Sequence, residues 1–278
     1  MEVKVCNMRS SEFEKDLISS ISDTGFVVLT HHGISEGLIR EAQTKWREFF
    51  LQEQIFKNLF VNEKDPNMGY KGMRTETAVG AKKADLKEYY HWKPGQHMPH
   101  EVWESTLRLF HQLEDVAGQI LRVIDRENQK NGEYTNYTDD CYQSDNTIIR
   151  SLYYPAMDFN SDPGAVRAAA HEDINYITLL VAASAPGLQV LDKAGSWHDV
   201  PHEENSIVMN VGDMLQLASG GKYSSTTHRV VNPENNTQDR VSMPLFVHPH
   251  SHTRLSPTKT AGEFLAERIA EIHGKKNG

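Results

Sequence analysis

The sequence predicts an α+β chain, mainly β, in which helices and a few strands precede a sandwich or barrel of short strands. Three observations predict it. Apolar residues recur at helical spacing in four segments, three before residue 127 and one at the C-terminus. From Thr147 onward, apolar or alternating runs of strand length are separated by turn residues. The 278 residues, 38% hydrophobic and 24% charged, are enough for one large core or two intimately joined ones.

The elements follow in order. Ser11 with Glu14 reads as a capping box, with Phe13, Leu17, Ile18 and Ile21 on one helical face and Gly25 as the stop. Phe26 to Thr30, FVVLT, reads as a buried strand. Ser35 opens a second helix with Leu38, Ile39, Ala42, Trp46, Phe49 and Phe50 inward. Residues 61 to 100 are irregular and include the strand-like KEYYHW. A long amphipathic helix from about Glu101 to Arg126 carries Leu107, Phe110, Leu113, Ala117, Ile120, Leu121 and Ile124 as its stripe. The polar stretch from Glu127 to Asp145 reads as a connector. Strand-length runs then follow in TIIRSLYYP, HEDINYITLLVAA, GLQVL, SIVMNVGDMLQLA, HRVV and RVSMPLFV. Thr260 with Glu263 caps a last helix, with Phe264, Leu265, Ile269 and Ile272 on its face. The expected organisation is an N-terminal helix and strand region at 1–126, a connector at 127–145, a core at 146–255 and a C-terminal helix at 256–278.

Bulk properties exclude several functional classes. A net charge of −9 without a long basic block argues against nucleic acid as a partner. Two cysteines, Cys6 and Cys141, make no disulfide framework and point to a reducing compartment. The first residues lack an apolar stretch behind a basic start, so no signal peptide is expected. The longest apolar run, Tyr176 to Ala183, is far short of the roughly 20 residues of a membrane span. A cytoplasmic protein, monomeric or weakly homo-oligomeric, is expected.

The chemistry concentrates in five side chains. His171 and Asp173 read H-x-D, His228 follows 57 residues later, and Arg240 and Ser242 read R-x-S, 12 residues further on. Alternate residues on a strand share a face, so His171 and Asp173 would point one way and Glu172 the other. Two imidazoles and one carboxylate leave adjacent positions open on an octahedral ion, an arrangement suited to non-heme Fe(II) oxygenases. With 14 histidines, one H-x-D is expected by chance, so the pair alone decides little. His202 and Glu204, another two-ligand spacing, sit in a charged turn and read as solvated loop. An Arg fork and a hydroxyl at i and i+2 can share one carboxylate. A phenol from Tyr153 or Tyr154 could add a donor, and at least one of the two reads as aromatic core.

These residues lie in longer stretches that resemble the isopenicillin-N-synthase-like branch of the iron- and 2-oxoglutarate-dependent dioxygenases. GFVVLTHHGIS, DLKEYYHW, RSLYYP, NVGDMLQLASGGKYSSTTHRVVNP and DRVSMPLFVHP each look like a segment of that family. The resemblance implies a double-stranded β-helix (jelly-roll) barrel with surrounding helices. It implies Fe(II) on His171, Asp173 and His228, with 2-oxoglutarate and dioxygen as co-substrates. It implies that Arg240 and Ser242 clamp the 5-carboxylate of 2-oxoglutarate, with Tyr154 as a further donor. A small-molecule substrate that is hydroxylated, desaturated or cyclised follows from the same resemblance. Leu152 departs from the family pattern, which often has Asn there, and Ala156-Met157 replaces a frequent Cys-Pro.

Two alternatives share the fold: an iron oxidase that takes no 2-oxoglutarate, and a non-catalytic binding barrel. Substrate contacts are expected from the 66–92 region, where Lys71 and Arg74 could receive a carboxylate but read more simply as surface charges. His248, His250 and His252 form H-x-H-x-H, which without an accompanying carboxylate or Cys reads as a strand end rather than a second metal site.

Overall fold

The computed structural model describes residues 2–73, 75, 86–156, 168–181, 187–231 and 239–274. The first part of the chain forms β1 (Val5–Asn7), α1 (Phe13–Thr24), β2 (Phe26–Thr30), α2 (Glu36–Phe50), α3 (Gln54–Asn58), β3 (Gly69–Lys71), β4 (Glu88–Trp92) and α4 (His100–Lys130). Next come α5 (Tyr137–Cys141), β5 (Ile148–Tyr154), β6 (Ala168–His171), β7 (Ile177–Val181), β8 (Leu188–Leu191), β9 (Trp197–Asp199) and β10 (Ile207–Val211). The chain continues through α6 (Asp213–Ala218), β11 (His228–Val230), β12 (Arg240–Ser242), β13 (Pro244–Val247), β14 (Arg254–Ser256), β15 (Lys259–Thr260) and α7 (Ala261–Gly274).

The helices form where an apolar stripe has a partner. In α2, Ser35 accepts a hydrogen bond from the Leu38 amide, and the six apolar residues read from the sequence are all buried. The stripe of α4 packs beside it, and the Trp46 indole donates to Thr106 Oγ1 at 2.8 Å. Gly25 ends α1 with a left-handed φ of 72°, and a Cβ there would sit 2.2 Å from the Ser224 carbonyl oxygen. Thr260 and Glu263 form their capping box reciprocally at the start of α7.

Two local readings are corrected. The Ser11–Glu14 box does not form. Ser10 Oγ takes the Glu12 amide instead, and Glu14 pairs with Arg126 at 2.7 Å. The strand run ending in GDMLQLA breaks at Gly212, after which Asp213–Ala218 is helix α6. The polar stretch 127–145 holds the end of α4 and the short helix α5.

Two sheets face each other. The larger runs β1-β2-β10-β7-β13-β5-β4-β3, with β12 also on β5; the smaller runs β6-β11-β8-β9. All pairings are antiparallel except β1 with β2. Between them pack Phe26, Val28 and Val208 from the larger sheet and Val190 from the smaller. The opposite face of the larger sheet forms the main core with α1, α2 and α4. Alternation therefore gives each long strand one face toward the helices and one toward the second sheet. On β5, Tyr153 stacks on Phe50 of α2 at 5.6 Å, so its neighbours Leu152 and Tyr154 face inward. A large helical layer thus holds the larger sheet, whose inner face and the facing small sheet enclose the site between them.

Candidate metal centre and co-substrate pocket

His171 and His228 are cross-strand partners on β6 and β11 of the small sheet, with ring centroids 4.4 Å apart. The expectation that His171 and Asp173 share one strand is half right. His171 ends β6, and Asp173 lies two residues past it in the loop to β7. That loop is pinned by backbone bonds, from Asp213 N to Asp173 O at 2.7 Å and from Met214 N to Ile174 O at 3.1 Å. Gly212 permits the approach, since a Cβ there would lie 2.3 Å from the Asn175 carbonyl oxygen.

The result is convergence. His171 Nε2 lies 3.9 Å from Asp173 Oδ1, and His228 Nε2 lies 4.0 Å from Asp173 Oδ2. Ligand atoms of the three residues fall within 4.8 Å of one another, the one such group of His, Cys, Asp or Glu among the described residues. Neighbouring ligands on an octahedral ion with bonds of about 2.1 Å are about 3 Å apart, so small side-chain shifts close these around an ion.

Partners outside the triad occupy one polar atom of each of its three side chains. His171 Nδ1 donates to Ala169 O at 2.8 Å and His228 Nδ1 to Thr226 O at 3.1 Å. Those bonds leave each Nε2 as the lone-pair nitrogen turned to the centre. Asp173 Oδ2 accepts from Thr178 Oγ1 at 2.6 Å and from Asn210 Nδ2 at 2.8 Å, and Oδ1 remains for a metal. Burial opposes the charge on Asp173. The His228 and His171 imidazoles and the Asn210 and Thr178 donors outweigh it, and the carboxyl sits below its ordinary range. Desolvation and the adjacent His228 bring the His171 imidazole down to about 4, so it is neutral near pH 7. Neutral imidazoles and an ionised carboxylate are the states a divalent cation needs. The donor set fits Fe(II).

Arg240, Ser242 and Tyr154 meet on the inner face of the larger sheet. Tyr154 pairs with Arg240, Leu152 pairs with Ser242, and all four are nearly buried. The Arg240 guanidinium lies 5.9 Å from the Tyr154 ring centre. A buried guanidinium beside two hydroxyls makes a fork for a carboxylate. Tyr153, by contrast, points to the helices and donates to Asp239 at 3.1 Å.

The other sequence candidates separate. Lys71 is half-buried on β3 and donates to Met68 O at 3.1 Å, while Arg74 lies outside the described residues. His202 and Glu204 are exposed. His248 is buried with Nδ1 on Phe246 O, whereas His250 bonds Tyr142 O and stacks on His252 at 5.4 Å, so the three do not converge.

Thr178 and Asn210 escaped the sequence reading. Each is a polar residue inside an apolar strand run, ITLLV and IVMNV, and that mismatch was the available signal. Lys87, Tyr89 and His91 also escaped it, although period-two alternation along KEYYHW puts them on one face.

Known proteins are similar to this chain in sequence and fold. Residues 143–249 match the family model of the 2OG-Fe(II) oxygenase superfamily, and residues 5–111 match that of the non-haem dioxygenase in morphine synthesis N-terminal region. A crystal structure from Shewanella oneidensis, assigned as an oxygenase, is 37% identical over 98% of this chain and 99% of that one, with a TM-score of 0.87. A full-length Neurospora crassa protein solved in complex with alpha-KG is 25% identical over 96% of this chain and 95% of that one, with a TM-score of 0.80. Flavonol synthase/flavanone 3-hydroxylase of Eustoma exaltatum subsp. russellianum is 27% identical over 272 residues, 92% of this chain and 79% of that one. The fold is accordingly the helix-flanked jelly roll that the resemblance implied. Donor set, fold and similarity agree: the chain belongs to the 2OG-Fe(II) oxygenase superfamily and is an Fe(II)- and 2-oxoglutarate-dependent oxygenase.

Proposed function

We propose that Nε2 of His171, Nε2 of His228 and Oδ1 of Asp173 hold Fe(II), and that Arg240, Ser242 and Tyr154 receive the far carboxylate of 2-oxoglutarate. One observation carries the assignment: both imidazoles commit Nδ1 to a backbone carbonyl and converge by Nε2 on a carboxylate already held by two donors. Bound iron supplies dioxygen activation coupled to oxidative decarboxylation of 2-oxoglutarate to succinate and carbon dioxide, which drives hydroxylation, desaturation or cyclisation of a small molecule.

The protein's own part is orientation. Ala169 O and Thr226 O fix the tautomers of the two imidazoles. Thr178 and Asn210 keep the Asp173 carboxylate ionised and turned one way. Arg240 supplies the permanent charge for a carboxylate, and Ser242 and Tyr154 supply hydroxyl donors beside it. The apolar packing of Phe26, Val28, Val190 and Val208 between the sheets limits water on one side of the centre.

The substrate is read as a small molecule, in keeping with the hydroxylases and flavonol synthases among the relatives. The acidic balance of the chain supports an enzyme that engages no nucleic acid. No helix among the described residues is long and apolar enough to cross a membrane, and Cys6 and Cys141 are free thiols. We read it as a cytoplasmic enzyme, monomeric or weakly self-associating.

Anaerobic titration of the metal-free protein with Fe(II) and then 2-oxoglutarate tests the assignment. One equivalent of each should bind and produce a visible charge-transfer band. Admission of dioxygen with substrate should yield succinate in proportion to product. Binding of iron without any band on adding 2-oxoglutarate would sink the pocket assignment.

A further inference from the structure

Three histidines of this chain share one local device. His171, His228 and His248 each donate from Nδ1 to the carbonyl two residues before, on Ala169, Thr226 and Phe246. In the first two, that bond leaves Nε2 for the metal centre. His248 lies outside the centre, because it is not in the group of ligand atoms that converges on Asp173. It is nonetheless buried, and its Nε2 takes no hydrogen bond among the described residues.

The backbone holds this ring in place beside the metal face. The His248 amide donates to Thr147 Oγ1 at 3.2 Å, and Thr147 Oγ1 donates to His248 O at 3.4 Å. The preceding residue is fastened too, since Tyr176 N donates to Val247 O at 3.0 Å. Along β13, Leu245 and Val247 belong to the helix-side core, so alternation assigns Phe246 and, two residues on, His248 to the opposite face. Phe246 is the cross-strand neighbour of Thr178, whose hydroxyl holds the Asp173 carboxylate. Asp173 and Lys93 are the charged groups whose field reaches the His248 ring.

A fixed imidazole with one committed nitrogen discriminates between ligands. Desolvation brings His248 down to about 4, so it is neutral near pH 7, and the Phe246 carbonyl assigns the proton to Nδ1. Nε2 is then a lone pair with no proton to give. An O–H or N–H satisfies it. A carboxylate or an ether oxygen does not, and a ligand of that kind leaves a buried acceptor unmet.

We propose that His248 is a specificity-determining residue: its Nε2 accepts a hydrogen bond from a hydroxyl or ring N–H of the substrate, beside the half-buried Phe246, and so selects a neutral, donor-bearing molecule. This rests on the iron and 2-oxoglutarate assignment above, which makes the surroundings of Asp173 the place of reaction.

Calorimetry on protein loaded anaerobically with Fe(II) and 2-oxoglutarate tests this. The probes are phenol, 2-pyridone and indole, each paired with its methylated counterpart, anisole, N-methyl-2-pyridone and N-methylindole. At least one donor should bind tenfold or more tightly than its counterpart. His248→Leu should abolish that preference while the iron and 2-oxoglutarate affinities, measured on the same sample, stay within twofold of wild type. His248→Gln, whose amide oxygen accepts, should retain part of it. A second readout uses wild-type protein with Zn(II) in place of iron. The nitrogen-15 resonance of His248 Nε2 should move upfield when the donor binds and stay in place with the methylated compound. Equal binding of donors and counterparts, absence of binding by every donor, an unchanged preference in His248→Leu, or a stationary Nε2 resonance would overturn the proposal. If His248→Leu does not fold, the wild-type resonance decides. Failure of wild-type protein to take up iron or 2-oxoglutarate would sink the earlier assignment instead. The same resonance, read on the metal-free protein, then decides this one.

Discussion

The metal face and the wall formed by β5 and β12 lie on opposite sheets, and they are built by different means. The metal face is organised by backbone: two ring nitrogens rest on carbonyls, and the loop carrying Asp173 is fastened to the start of α6. The wall is organised by side chains, with Arg150 on β5 and Arg240 on β12 each against an aromatic ring and Arg150 also against one imidazole. The backbone-built region specifies geometry, which a metal demands. The side-chain-built region specifies charge and shape, which differ from one substrate to another. A fold that keeps the first and varies the second can keep one chemistry while changing what it acts on.

The sharpest way to break this division is to remove one member from each region. Asp173→Ala leaves two imidazoles without the carboxylate that closes the face. Iron affinity should fall by more than a hundredfold and succinate formation should cease, as measured by anaerobic calorimetry and product assay. Retention of tight iron binding would remove the metal assignment. Arg240→Ala should do the converse. Iron affinity should hold, while the 2-oxoglutarate affinity drops about a hundredfold, near the 3 kcal/mol typical of truncating one partner of a buried charged contact. Loss of iron as well would mean that the two regions are not separable.

A smaller effect tests whether the metal face depends on its supports. Asn210→Ala removes the donor 2.8 Å from Asp173 Oδ2, and Thr178→Val removes the one at 2.6 Å. Each should weaken iron roughly tenfold, with little change in 2-oxoglutarate affinity once metal is saturating. Unchanged iron affinity in both would mean that the loop backbone alone positions the carboxylate.

Legibility followed the same line. The helical faces of α2 and α4 were readable because apolar period and burial coincide, and Ser35 caps as its sequence suggests. The five site residues were readable as a pattern, but not the way they are assembled. H-x-D suggested one strand, whereas Asp173 sits in a loop whose place depends on Gly212, Asp213 and Met214, about forty residues away. No local rule carries that information. Ser11 and Glu14 fit a capping box in sequence as well as Thr260 and Glu263 do. Only the second forms: α1 starts at Phe13 with Glu12 at its cap, so Ser11 falls outside the capping position and Glu14 pairs with Arg126. Arg150 and His91 were visible as letters in runs already read as strand-like. Their meaning required the register that sets β4 against β5.

Acidity probes the buried groups near the metal face without iron. Burial holds the His248 imidazole down at about 4, below the ordinary 6.5, despite the favourable Phe246 carbonyl. The unfolded chain therefore takes up the proton first as pH falls. Stability of the metal-free protein should be full above about pH 6.5 and decline toward pH 4, by up to about 3 kcal/mol from this residue. His248→Asn, which preserves a donor toward Phe246 O, should flatten that slope in urea melts collected across the same window. An equal slope in the variant would assign the acid sensitivity to other groups.

The smallest effect is the most discriminating for residue assignment. Glu172 stands between two proposed ligands, and a carboxylate there is as near in sequence to His171 as any in the chain. Its side chain, however, turns to the exposed side and accepts from Thr227 Oγ1 at 2.7 Å. Glu172→Ala should therefore leave iron affinity within twofold and stability within about 0.5 kcal/mol of wild type, as expected of a surface contact. A large loss of iron from this variant would mean that the loop after β6 presents the wrong carboxylate, and the triad would then have to be rebuilt around Glu172. A silent outcome, set beside the severe one expected of Asp173→Ala, would show that one residue of offset in this loop separates a ligand from a surface charge.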